Sequence, residues 1–181
     1  MADVWHTLTP QMRLHLPPRV RDWVALETSM TERIGLVAAR SITVEVLRQA
    51  HGRLHQDEHR FFPTATEPAT VREVCLSADA LPLLIARSVF TSRMLQTHPT
   101  IVKLGTKPLG SLLFAGGKPS PYSAREYARL GPDTPLFGLV RKRHQGMQPH
   151  YWARRTLFVL FDAPLLVTEI FMPDLVHHLV P

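Results

Sequence analysis

Residues 71–76 (Val-Arg-Glu-Val-Cys-Leu) and 83–90 (Leu-Leu-Ile-Ala-Arg-Ser-Val-Phe) are nearly all apolar, and only residues 77–82 separate them. Short apolar runs bounded by turn residues are strands, and so short a link joins them as an antiparallel hairpin. Each run carries one arginine, Arg72 or Arg87. A turn centred on Asp79-Ala80 places Arg72 directly opposite Arg87 on one face of the sheet. Two facing guanidiniums repel by roughly 0.2–1 kcal/mol unless something neutralises them. A bound molecule with two carboxylates satisfies both forks, because arginine grips a carboxylate in a bidentate, directional way. Chain carboxylates such as Glu73 or Glu169, or solvent at a sheet edge, are the alternative.

The 181 residues suffice for one domain, spanning 1–181. Hydrophobic residues make up 45% of the chain, and no apolar stretch approaches the ~18–20 residues of a membrane span. Asp3, His6, Arg13 and His15 break up the N-terminal segment, so no secretory signal is read there. The expectation is a cytoplasmic monomer. The one cysteine, Cys75, lies mid-strand and reads as a small buried apolar residue, in keeping with a reducing compartment. A net charge of +6 concerns partners more than fold and suits a small acidic substrate. The basic clusters at 141–144 and Arg154-Arg155 lack interleaved aromatics and zinc-finger spacing, so nucleic acid is not an expected partner.

A helix is expected from Pro17-Pro18, with Val20, Trp23, Val24, Leu26 and Met30 on one stripe; residues 28–31 interrupt or end it. Residues 41–46 alternate like a strand, and 47–59 are polar and rich in histidine. Short helices are expected near 92–95 and 109–114, the second after the punctuation of Gly105, Pro108 and Gly110. Ser123 and Glu126 have capping-box spacing and predict a helix over 123–130. Residues 154–161 and 165–172 form a second hairpin about a turn at 162–164. Its second strand sets Leu165, Val167, Glu169 and Phe171 on one face, so Glu169 is a carboxylate among large apolar side chains, costly to bury unpaired. Helices early and hairpins late predict an α+β domain with a largely antiparallel sheet. His51, His55 and His59 would share a helical face with metal-ligand spacing, but Gly52 weakens that helix and no fourth ligand follows, so no metal site is expected. Lys103 and Lys107 match no phosphate-binding loop and read as solvated, as do His177 and His178.

Six segments, in order, resemble the chorismate pyruvate-lyase family: residues 26–31, 71–74, 86–89, 104–114, 153–155 and 164–173. The resemblance implies an antiparallel sheet with helical flaps over a buried ligand site, and an enzyme without a cofactor. It would eliminate pyruvate from the dianion chorismate to leave 4-hydroxybenzoate for ubiquinone biosynthesis. By the same resemblance, Arg72 and the backbone N–H of Leu109 hold the ring carboxylate, and Glu169 and the Met30 region meet the ring hydroxyl. Arg87 serves the enolpyruvyl carboxylate or the approach path, and Glu169 and Arg72 are the catalytic pair. Glu169 then accepts the C4 proton, orients the hydroxyl or donates to the leaving group; a cyclic transfer from C4 to the enolpyruvyl methylene needs no protein acid or base. Alternatively, Glu169 is only the partner of Arg154 or Arg155. The sequence departs from the family pattern at 47–68 and 174–181. A different class, a non-catalytic aromatic-acid sensor of the same fold, normally follows a helix-turn-helix domain, for which the residues before Trp23 leave no room.

Overall fold

The computed structural model describes residues 5–63, 69–143, 146 and 148–178. Its strands are β1 (Trp5–Thr7), β2 (Ile42–Gly52), β3 (Ala69–Ala78), β4 (Leu81–Phe90), β5 (Tyr122–Leu130), β6 (Tyr151–Leu160) and β7 (Ala163–Phe171). They pair antiparallel throughout in one sheet, in the order β1-β5-β6-β7-β4-β3-β2. Two meanders, β2-β3-β4 and β5-β6-β7, meet along the β4–β7 seam at the centre. Together with its helices this is the α+β architecture expected from the sequence.

One expectation fails at 123–130, which is β5 rather than a helix. A capping box is a local signal, and here Arg125 and Tyr127 alternate with Glu126 and Ala128 across two faces while β6 supplies a full ladder. Pairing outweighs the cap. The N-terminal helix likewise ends early, as α2 (Pro18–Val24), after α1 (Pro10–His15), and a new helix, α3 (Met30–Ala38), starts where the Ser29 hydroxyl accepts a bond from the Glu32 N–H at 3.4 Å.

The arginine hairpin also departs from expectation. The turn is centred on Asp79-Ala80, both at positive φ, and Ala78 pairs Leu81 and Ser77 pairs Pro82, as that turn requires. A bulge then intervenes: Leu76 pairs Leu84, so Leu83 is an extra residue and every later pair moves by one. Pro82 has no N–H to give the ladder, which interrupts pairing at this point. The one-residue shift puts Arg72 opposite Ser88 and Arg87 opposite Glu73. The two arginines therefore lie on opposite faces of the sheet and do not converge.

Both faces are covered. On the front, α2, α3 and α7 (Pro173–His178) pack Trp23, Val24, Ile34 and Leu175 against Leu76, Leu84 and Phe171. Beside them α4 (Ser92–Thr97), the 3-10 turn Pro99–Leu104 and α5 (Gly110–Leu113) set Met94, Ile101, Leu104 and Leu113 on Phe90, Phe158 and Leu165. On the back, α6 (Pro135–Arg141) packs Leu136, Phe137 and Val140 on Cys75, Ile85 and Ile170, and residues 53–62 cover the remainder. Cys75 is buried, and burial pushes its thiol pKa up, as suits a small apolar residue. No helix among the described residues is long and apolar enough to cross a membrane.

The cover at 53–62 brings carboxylates to the back-face arginines. Arg87, 2% exposed, donates to both oxygens of Glu58 at 2.9 and 3.0 Å and to Glu73 at 2.8 Å. Arg155 donates to Glu126 at 2.6 Å and Asp57 at 2.5 Å, with the Trp5 ring 4.1 Å away. Burial alone would lower the Arg87 pKa; the bonds and charges of Glu58 and Glu73 outweigh it and raise it. Removing one partner of such a buried pair strands the other charge. Glu58→Ala leaves Arg87 with Glu73 as its remaining carboxylate and is expected to cost about 1.5–3 kcal/mol and lower the melting temperature by roughly 3–12 °C. Calorimetry of the two proteins checks this.

Candidate active site

The two packed groups on the front face do not close against each other completely. Between them lies a partly enclosed cavity of about 60 Å³, several times the ~10–15 Å³ one water needs. Its floor is sheet: Val74, Ala86, Ser88 and Val167, with Phe158 beside them. Ala86 and Ser88 are the small residues of an otherwise bulky β4 run, and they sit where the central strand passes under the gap. Its roof is the start of α3, with Met30 and Thr31, and the segment Pro108, Leu109, Gly110 and Leu113. The two roof pieces nearly touch, since a Cβ on Gly110 would lie 3.0 Å from the Ser29 hydroxyl. A larger residue there would have to push the Ser29 hydroxyl aside.

Arg72 stands at one end of the cavity, 2% exposed. Its NH1 donates to Gln49 Oε1 at 2.8 Å, and its NH2 to the carbonyls of Gly105 at 2.8 Å and Lys107 at 3.3 Å. Gly105 has φ 54° and ψ −125°, a conformation that favours glycine and turns that carbonyl onto the guanidinium. All three acceptors are neutral, and among the described residues no carboxylate pairs with Arg72. Burial accordingly pulls its pKa down, the reverse of Arg87. At the beginning of α5 the Leu109 N–H has no acceptor among the described residues.

Glu169 stands at the other end, on β7, two strands from Arg72 or roughly 10 Å across the sheet. It shares its face with Leu165, Val167 and Phe171, as the alternation predicts, and is 9% exposed. Its register partner on β6 is Arg154, whose Nε donates to a Glu169 oxygen, so the expected ion pair and the cavity position coexist. Arg154 also donates to the Leu26 carbonyl at 2.6 Å, as does Arg125 at 3.0 Å, which ties the approach to α3 to this end of the site.

Of the residues singled out in the sequence, the structure brings Arg72, Glu169, Leu109 and Met30 together around one cavity. It leaves Arg87 on the other face, bonded to Glu58 and Glu73. His51 lies on β2, His55 in the following loop and His59 in a 3-10 turn, so no helix gathers the three. Lys103 and Lys107 are exposed. Sequence reasoning missed Gln49 and the carbonyls of Gly105 and Lys107, whose roles depend on long-range contact. It also missed Ala86 and Ser88, for which the drop in side-chain size within the run was a usable signal.

The sheet and its helices match the fold of solved domains of other proteins. The effector domain of PhnF from Mycobacterium smegmatis matches with a TM-score of 0.57 at 12% identity, over 82% of this chain and 91% of that one. The ligand-binding domain of a putative GntR-family transcriptional regulator from Bordetella bronchiseptica matches at 0.53 and 12%, over 74% and 86%. At such identity the likeness is one of fold. Sequence goes further. The family described as Chorismate lyase matches residues 3–180. A probable chorismate pyruvate-lyase of Azoarcus sp. (strain BH72) is 35% identical over 93% of this chain and 94% of its own length. The chorismate pyruvate-lyase of Photorhabdus laumondii is 32% identical over 88% and 84%. The chain belongs to the chorismate lyase family.

The cavity exists because β4 is small beneath it. Ala86→Leu is expected to fill it, abolish binding of 4-hydroxybenzoate and leave the melting temperature within a few degrees, since the added carbons enter space already open. Calorimetric titration and a thermal melt on one preparation check both halves.

Proposed function

We propose that this protein is a chorismate pyruvate-lyase: a single-domain, cytoplasmic monomer that eliminates pyruvate from chorismate and leaves 4-hydroxybenzoate, the aromatic precursor for ubiquinone. One observation carries the reading of the site. Arg72 is a buried cation with only neutral acceptors, facing an apolar cavity. A buried charge without a counter-charge is costly, and a ligand carboxylate supplies what the fold withholds.

In this reading the ring carboxylate binds Arg72 and the free N–H of Leu109, the ring lies over Ala86 and Ser88, and the C4 hydroxyl reaches Glu169 beside Met30. Aromatisation drives the reaction. The C3–O bond breaks with its electron pair passing to the ether oxygen, C4 loses its hydrogen as a proton while that C–H pair forms the C3–C4 double bond that completes the aromatic ring, and one proton added at the methylene of the freed enolpyruvate gives pyruvate. No cofactor is needed, because positioning and electrostatics suffice for such a substrate. Paired with Arg154, Glu169 offers an acceptor to the hydroxyl or to the C4 proton, and Arg154 places positive charge where the leaving oxygen becomes negative.

Incubation with chorismate is expected to yield 4-hydroxybenzoate and pyruvate in equal amounts. Arg72→Ala and Arg72→Lys both lower turnover sharply with the fold intact, since a point charge does not replace a fork. Glu169→Gln lowers turnover per folded molecule by ~10²-fold if it handles the proton. A Glu169→Gln protein that is destabilised yet fully active restricts Glu169 to pairing Arg154, and no turnover by the parent chain removes the proposal.

A further inference from the structure

We propose that Gln49 is the positioning residue for the carboxylate end of this site, an inference that rests on the reading of Arg72 above. Gln49 lies on β2 directly opposite Arg72 on β3. That placement depends on a second bulge. Val46 pairs Val74 and Arg48 pairs Glu73, which leaves Leu47 as the extra residue. Without it, continuation of the ladder would set Arg48 against Arg72, two like charges side by side on one face. With it, Arg48 turns to the back face opposite Glu73, and an uncharged amide meets the guanidinium.

The amide works at both of its atoms. Gln49 Oε1 accepts from Arg72 NH1 at 2.8 Å, and Nε2 donates to the Val102 carbonyl at 2.7 Å. It is the one side chain among the described residues that bonds Arg72; the other acceptors are the backbone carbonyls of Gly105 and Lys107. Val102, Gly105 and Lys107 all lie in the stretch that leads into the roof segment at Pro108. Gln49 therefore spans sheet edge, guanidinium and that stretch, and it fixes the plane in which Arg72 meets a carboxylate. On its outer side it lines an open groove with His51, Thr70 and Val102.

Chorismate, 4-hydroxybenzoate and benzoate share the ring carboxylate, and benzoate lacks the hydroxyl that would involve Glu169. The test measures dissociation constants for benzoate and 4-hydroxybenzoate, and KM and kcat for chorismate, in the parent protein, Gln49→Met, Gln49→Glu, Arg72→Ala and Gln49→Met/Arg72→Ala. Gln49→Met, of similar length but without the acceptor, is expected to weaken both ligands and raise KM by a common factor of about tenfold, the size of one hydrogen bond to a charged group. The change in kcat is smaller. Gln49→Glu keeps an acceptor oxygen at the same reach but pairs Arg72 with a carboxylate, loses the donor to Val102 and repels the ligand's own carboxylate, so it is expected to bind both ligands no better than Gln49→Met does. In the Arg72→Ala background Gln49→Met adds less than about twofold, because the two residues act as one unit. Parent-like binding by Gln49→Met overturns the assignment. So does a loss that persists undiminished without Arg72, or parent-like binding by Gln49→Glu. A parent protein that binds neither benzoate nor 4-hydroxybenzoate overturns the reading of the cavity itself, and the Gln49 assignment with it.

Discussion

A guanidinium buried without a carboxylate partner has to be met by oriented dipoles, and around Arg72 these come from one amide side chain and two carbonyls. Among the described residues Arg125 is also buried with only neutral acceptors, the Thr156 hydroxyl and the Leu26 carbonyl, but it does not line the cavity. The other three buried arginines show the contrast. Arg87, Arg154 and Arg155 each bond at least one carboxylate. Those three hold parts of the fold together across the sheet or to its cover, whereas Arg72 keeps its charge for whatever enters the cavity. The conformation at Gly105, the placement of Gln49 and the Leu109 N–H, which has no acceptor among the described residues, all make sense as the surroundings of one carboxylate.

Two bulges decide which side chains face the cavity. The one at Leu83 turns Arg87 away to the back face, and the one at Leu47 turns Arg48 away. Each removes a guanidinium that a regular ladder would have placed beside Arg72. The front face thus keeps one cation at its carboxylate end, and the back face acquires Arg87 together with Glu73, Glu58 and the network around Arg155. One sheet carries a layer of buried ion pairs on one side and, on the other, a buried guanidinium facing the cavity.

Much of this was legible in the residues, and the failures have definite causes. Both hairpins, the turn at Asp79-Ala80 and the shared face of Leu165, Val167, Glu169 and Phe171 follow from period-two alternation and turn chemistry. The facing of Arg72 and Arg87 does not, because a single extra residue inverts every side chain beyond it and nothing short-range announces it except the missing N–H of Pro82. The segment at 123–130 was misread because a capping box is local and the β6 ladder is not. The role of residues 53–62 as a carboxylate-bearing cover was invisible for the same reason: Glu58 meets Arg87 only after the chain has folded over the back face.

The central claim is that the front-face cavity holds an aromatic acid in one orientation, carboxylate at Arg72 and hydroxyl at Glu169. A crystal structure of the chain grown with 4-hydroxybenzoate tests it most directly. The account predicts the carboxylate within hydrogen-bond distance of Arg72 and the Leu109 N–H, the ring over Ala86 and Ser88, and the hydroxyl at Glu169. A ligand bound the other way round, or seated on the back face beside Arg87, would contradict it.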